Sequence, residues 1–264
     1  MSLVLSEIDD QGVVTLTLND PTTRNAISDL PMIDALIAAL EAAEAKPEAR
    51  VILLTGAGSA FSAGGNIKAM SPGQGLVDEI PARTRRNYRA GIQRLPLAFE
   101  ALELPVVAAV NGPAIGAGCD LATMCDIRIA GASARFAESF VRLGIVPGDG
   151  GAWLLPRVVG FAKACEMALT GEMIGAEEAL KHQLVSRVVP DAELMETAHG
   201  VARKIAANPP EAVRMTRRLL RQAWNNPNLG AVLDMSAAMQ AVAHATDDYR
   251  LGLQKMLDAT RSKS

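Results

Sequence analysis

The chain has 264 residues, 49% of them apolar and 21% charged, with a formal net charge of −3. That length suits one compact domain with an appendage, and the charge argues against a general nucleic-acid binder or a membrane-surface protein. No run approaches the roughly 20 uninterrupted apolar residues that a bilayer crossing needs, and Met1 to Asp10 lacks the basic-then-apolar pattern of a secretory leader, so a cytoplasmic or matrix protein is expected.

In chain order, Val13 to Leu18 alternates apolar residues with threonine and predicts a strand, ended by the turn signal Asp20-Pro21. A helix follows with Ser28 as its cap, because Met32, Ile33, Leu36, Ile37 and Leu40 recur at helical spacing until Lys46-Pro47. Val51 to Thr55 reads as a buried strand leading into the glycine-bearing loop Phe61 to Lys68. The segment Ser71 to Arg86, with Pro72, Gly73, Gly75 and Pro81, reads as a loop beside that turn and as a mobile lid. Arg83, Arg85, Arg86 and Arg89 fit either a solvated helix start or an attraction for a phosphorylated ligand.

A helix is predicted from about Asn87 to Glu103, then a strand from Val106 to Val110, a second glycine loop from Asn111 to Asp120, a short helix, and a strand from Ile127 to Ala130. Strands alternating with helices imply a parallel sheet with crossover connections, an α/β fold. After a last strand near Leu184 to Val189, helical patterns at Ala192 to Ala207, Glu211 to Ala223 and Leu229 to Leu257 are separated by Asn-Pro breaks. Their apolar stripes, such as Val213, Leu220 and Trp224, read as core or subunit contact. Cys119, Cys125 and Cys165 lie without metal-type spacing beside three scattered histidines, which predicts buried, reduced thiols and no metal site.

The two glycine loops carry the chemistry. Each ends a buried strand in a turn of small residues where a ligand can touch bare backbone amides. Side by side, the loops can present two N–H donors to one oxygen, the arrangement that stabilises an oxyanion. An enzyme that makes an enolate is the expectation.

Arg24-Asn25-Ala26, Phe61-Ser62-Ala63-Gly64-Gly65-Asn66-Ile67-Lys68, Asn111-Gly112-Pro113-Ala114-Ile115-Gly116-Ala117-Gly118-Cys119-Asp120, Ala134-Arg135-Phe136 and Leu143-Gly144-Ile145-Val146-Pro147-Gly148 occur together in this order. The whole chain thereby resembles the crotonase family of enoyl-CoA hydratases and isomerases. The resemblance implies a crotonase-type spiral of repeated ββα units over residues 1–200, holding an acyl-CoA site, and a helical trimerisation region over 201–264 that builds a homotrimer or a hexamer of two trimers. It implies that the amides of Gly65 and Ala117 receive the thioester oxygen, and that Arg24, Ala63, Asn66 and Ile67 contact coenzyme A, which is part of the substrate, so no separate cofactor is expected. The Arg24 guanidinium has a surface ion pair as an equal alternative.

The best-known hydratases of this family use two glutamates, and this chain departs from that. Asp120 falls at the first glutamate position and Phe140 at the second, and a phenyl ring transfers no proton. Asp120, Glu138 and Asp149 are the carboxylates that can fill the gap. Glu138 shares side-chain parity with Phe140 if that stretch is extended. Asp149 stands one residue after the position from which related isomerases project an acid, where this chain has Gly148, and either takes part or caps the helix that follows. An enoyl-CoA hydratase is the expected activity; double-bond isomerisation and a non-catalytic acyl-CoA-binding relative are the alternatives. The lid with Phe136, Phe140 and Trp153 is expected to shape an apolar acyl pocket.

Overall fold

The computed structural model describes residues 2–66, 71 and 75–261. From the N-terminus the chain runs β1 (Val4–Ile8), β2 (Val13–Leu18), α1 (Leu30–Glu44), β3 (Val51–Gly56), α2 (Pro81–Ala90), α3 (Arg94–Ala101) and β4 (Val106–Val110). It continues with β5 (Pro113–Ile115), α4 (Ala117–Met124), β6 (Ile127–Gly131), β7 (Arg135–Ala137), a 3-10 helix at Ser139–Leu143, α5 (Gly151–Val159) and α6 (Phe161–Thr170). Last come β8 (Ile174–Gly175), α7 (Ala176–Lys181), β9 (Arg187–Val189), a 3-10 turn at Asp191–Glu193, α8 (Leu194–Ala206), α9 (Pro210–Asn225), α10 (Leu229–His244) and α11 (Asp247–Arg261).

The main sheet has the order β1-β2-β3-β4-β6-β9, parallel throughout except for the β1–β2 hairpin. A smaller sheet, β5-β7-β8, stands beside it. Successive strand residues point to opposite faces, so the runs in β3 and β4 feed two cores. Ile52, Leu54, Val106, Ala108 and Val110 pack with α1, α3 and α4, whereas Val51, Leu53, Val107 and Ala109 pack under Leu194, Ala198 and Ala202 of α8. Burial on both faces is why these strands read as unbroken apolar runs.

Asn25 shows how the first glycine loop is secured. It is buried with φ +58, a left-handed conformation that asparagine tolerates better than most residues. Its Nδ2 donates to the Ala57 and Ala60 carbonyls at 2.9 Å each, and its Oδ1 accepts the Asp20 N–H at 3.0 Å. Asn25→Ala is expected to lower the unfolding free energy by about 2–3 kcal/mol, since buried backbone groups lose their partners; a denaturant titration checks it.

Several sequence expectations change. Asp29, not Ser28, caps α1, its carboxylate accepting the Met32 N–H at 3.2 Å. The helix expected over Asn87 to Glu103 is two, because the chain turns at Gly91, where an added methyl would meet the Asn87 carbonyl at 2.7 Å. The end of the expected lid belongs to α2 from Pro81 onward, and its residues 72–74 lie outside the described set. The arginine run is the exposed face of α2, with Arg83 4.0 Å from Asp78. The final long helix breaks at Ala245-Thr246 into α10 and α11, and the last strand is shorter than expected, beginning at Arg187. Cys119 and Cys125 are buried thiols, whereas Cys165 is partly exposed.

Among the described residues, no helix is long and apolar enough to cross a membrane. Helix α10 buries none of its residues, and Leu229, Leu233, Val242, Leu251, Leu253 and Met256 of α10 and α11 are exposed.

Candidate active site

The two glycine loops run side by side. Ser62 and Ala114 form a parallel bridge, with the Ser62 N–H donating to the Pro113 carbonyl at 3.1 Å and the Ile115 N–H to the Ser62 carbonyl at 3.0 Å. Three residues beyond this bridge on each strand lie Gly65 and Ala117. The approach is tight enough to require glycine. A methyl on Gly64, which has φ +77, would stand 2.1 Å from the Ile115 oxygen and 3.0 Å from the Ala117 nitrogen. Ala117 opens α4, so its N–H lies at the positive end of the helix and has no intrahelical partner. Among the described residues, neither the Gly65 nor the Ala117 N–H has an acceptor.

The expected coenzyme contacts form one strip. The Ala63 N–H donates to the Arg24 carbonyl at 2.8 Å, the Ile27 N–H to the Gly64 carbonyl at 2.8 Å, and the Asn66 N–H to Ser28 Oγ at 2.9 Å. Ser28 therefore pins the loop instead of capping the helix. The Arg24 side chain is exposed and makes no ion pair among the described residues, so the salt-bridge alternative is not realised. Ile67 lies outside the described residues.

The three carboxylates converge although they come from three different elements. Asp120 is on the first turn of α4, Glu138 just precedes the 3-10 helix, and Asp149 just precedes α5; their relative exposures are 0%, 1% and 5%. Asp120 packs directly on the start of α5, where a methyl on Gly151 would stand 2.0 Å from its Oδ1. As carboxylates, Asp120 and Glu138 offer only acceptor oxygens, and no donor reaches any of the four with full hydrogen-bond geometry; the Gly151 N–H that approaches Asp120 and the Cys119 thiol that approaches Glu138 fall short of it. When Glu138 carries a proton it can act as a donor toward Asp120.

Burial sets the proton affinities. It lifts Asp120 to about 6 against the opposing pull of Glu138 and the Gly151 backbone. Asp149 is raised to about 7, by burial and then by the charge of Asp120. Glu138 rises well above the usual carboxylate range, through burial first and then the Asp120 charge. Because these folded-state pKa values exceed the unfolded ones, the native state binds more protons. Its stability from these groups is fully present below about pH 4 and is lost as pH rises through about 6 and 7. Asp149→Asn should therefore raise Tm at pH 8, by about 2–4 °C for each kcal/mol recovered, and flatten the decline between pH 4 and 7; calorimetry across that range reads both.

Two expectations at this site are corrected. Asp149 does not cap α5, whose cap residue is Gly150 and has no side-chain cap bond. The parity argument for Glu138 assumed an extended stretch, whereas Ser139–Leu143 is a 3-10 helix; Glu138 and Phe140 are nonetheless both buried. The Phe140 ring lies 3.6 Å from where a methyl on Gly116 would sit, against the turn that presents the Ala117 amide. Phe136 is fully enclosed in the main core, and Trp153 is half exposed with the Arg157 guanidinium 3.1 Å from its ring centre. Phe136 therefore has no exposed face to offer an acyl group. Sequence reasoning missed Tyr88 and Gln93, which hold the turn before Asp149: Gln93 Nε2 donates to the Gly148 carbonyl at 2.9 Å, and the Tyr88 ring edge lies 2.9 Å from where a Gly148 methyl would stand. Nothing in the apolar periodicity of that segment signals them.

A parallel α/β core, two apposed glycine turns with uncommitted amides and a cluster of buried carboxyls meet in this part of the molecule. The profile of the enoyl-CoA hydratase/isomerase family matches residues 9–262. The chain is 37% identical to the 1,2-epoxyphenylacetyl-CoA isomerase of Escherichia coli over 97% of its own length and 96% of that protein. It is 38% identical to the short-chain-enoyl-CoA hydratase of Clostridium acetobutylicum over 80% and 78%. The crystal structure of an enoyl-CoA hydratase from Mycobacterium smegmatis superposes with a TM-score of 0.90, at 32% identity, covering 98% of this chain and 97% of that one. The chain belongs to the enoyl-CoA hydratase/isomerase family and has the crotonase fold.

Proposed function

We propose that the protein is an enoyl-CoA hydratase that uses a carboxyl cluster in place of the usual glutamate pair. The observation that carries this is the convergence of Asp120, Glu138 and Asp149, buried and of unequal proton affinity, in the fold that sets the Gly65 and Ala117 amides at the end of the glycine loops. Groups whose environments push their proton affinities apart divide the roles of acid and base. The thioester oxygen accepts from the two amides, which stabilise the enolate charge that develops on it. Ionised Asp120 takes a proton from water as the water oxygen bonds to C3, and a neutral carboxyl, Glu138 or Asp149, delivers a proton to C2. The proton left on Asp120 passes to the group that gave one up, so that one water has been added and the cluster is restored. Coenzyme A lies along the backbone of Arg24, Ala63, Asn66 and Ile67. The exposed apolar faces of α10 and α11 suit a trimer or a hexamer, and the buried thiols suit a cytoplasmic or matrix compartment.

A specific observation favours isomerisation as a second reading: Phe140 places a buried apolar ring where a second glutamate would bind water, and isomerisation of a 3-enoyl-CoA needs only one carboxylate to lift a proton from C2 and return it to C4. Purified protein given crotonyl-CoA and a 3-enoyl-CoA in heavy-oxygen water separates the two. Labelled oxygen in the product establishes hydration; double-bond migration without label replaces it with isomerisation; acyl-CoA binding without turnover of either compound defeats both.

A further inference from the structure

Helix α4 carries Ala117 and Asp120 at its N-terminal end and spans eight residues, every one of them buried. At 1.5 Å per residue it is about 12 Å long. Its far end is held by guanidinium groups. Arg221 of α9 donates from Nη2 to the Met124 carbonyl at 2.7 Å, and Arg128 from Nη1 to the Cys125 carbonyl at 2.6 Å. Asp126 fixes the clamp: its Oδ1 accepts from Arg221 Nη2 at 2.7 Å and Nε at 3.0 Å, while its Oδ2 accepts from Arg217 Nε and the Val106 N–H, both at 2.8 Å. Arg217 sends its remaining nitrogens elsewhere, to the Phe99 and Leu102 carbonyls at the end of α3.

We infer that Arg221 is a positioning residue for the thioester-polarising amide of Ala117, gripping the C-terminus of α4 so that α9 sets where the N-terminus of that helix stands. The inference rests on the proposed role of Ala117. A cation at the helix C-terminus complements its dipole, and the fork holds two acceptors at once, which a lysine cannot reproduce. Donor placement is unforgiving: a displacement of about 1 Å can cost about 100-fold in rate. Arg217 is the built-in comparison, since it shares Asp126 and the same helix but touches no carbonyl of α4.

The experiment compares full-length wild type with Arg221→Lys, Arg221→Gln and Arg217→Lys, each bound to para-dimethylaminocinnamoyl-CoA. The absorption of this aryl-enoyl thioester moves to longer wavelength when its carbonyl is polarised. Both Arg221 variants are expected to lose about half or more of the red shift and about tenfold to 100-fold in kcat, with KM nearly unchanged. Arg217→Lys is expected to lower Tm comparably yet keep the red shift. Should Arg221→Gln fail to fold, the lysine variant, which keeps the charge, decides. Wild-type red shift and kcat in Arg221→Lys, or equal losses in Arg217→Lys, would overturn the inference. A wild type with no red shift would instead sink the Ala117 reading on which it depends.

Discussion

Asp120→Asn is expected to slow turnover of an enoyl-CoA by about 100- to 10,000-fold, the range that a positioned acid or base contributes, while thioester affinity stays within about threefold. The substitution keeps the shape of a side chain that is completely enclosed, and the new amide can donate to an oxygen of the neighbouring Glu138. The fold should therefore survive, and the loss should fall on kcat. A second signature separates Asp120 from a bystander. Its charge is one cause of the raised proton affinity of Asp149, so its removal should move the Asp149 titration to lower pH. Single-turnover rates and calorimetric affinities across pH 5 to 8 read both effects; an unchanged rate would exclude Asp120 from the chemistry.

Gly118→Ala should abolish most activity through a different route. Helix propensity alone favours alanine by about 1 kcal/mol, but the added methyl would stand 2.2 Å from the Ser62 carbonyl oxygen and 2.9 Å from the Ser62 Cβ. A backbone carbonyl cannot rotate aside as a flexible side chain can, so the loops must part. Overpacking of this kind costs about 1–3 kcal/mol, and the amide pair spreads from its shared target. Loss of one such donor typically slows catalysis by about 100- to 1000-fold, and a comparable fall in kcat is expected. Gly200→Ala supplies the contrast, since nothing lies within 4 Å of the new methyl in α8; it should be active and slightly more stable. Equal activity in the two variants would show that loop apposition is not what the reaction depends on.

What could be read from the chain depended on how each element buries itself. Strands β3 and β4 are enclosed on both faces, which writes an apolar run between turn signals, and both are where the sequence places them. Strand β1 leaves most of its side chains exposed, and β5, β7 and β8 have three, three and two residues; none of these carries a periodic signal. The break at Gly91 is set by a close approach to Asn87 that apolar spacing does not report. At the site, residue type was enough to single out Asp120, Glu138 and Asp149. Their meeting was not legible, because it depends on how α4, the 3-10 helix and α5 pack against one another. The caps of α1 and α5 misled for a related reason: Ser28 and Asp149 are committed to other parts of the molecule.

The buried acids also change what the molecule is as an ion. The formal charge of −3 counts Asp120, Glu138 and Asp149 as anions, but burial raises the proton affinity of all three, Asp149 to about 7 and Glu138 well above the usual carboxylate range. Near neutral pH the folded protein therefore binds more protons than its unfolded chain. Proton uptake by these acids is expected to place the native band on a focusing gel at higher pH than the denatured band, whose composition implies an isoelectric point of about 5.7. A polyanion such as the proposed coenzyme A thioester therefore meets less negative charge at these three acids than the sequence counts.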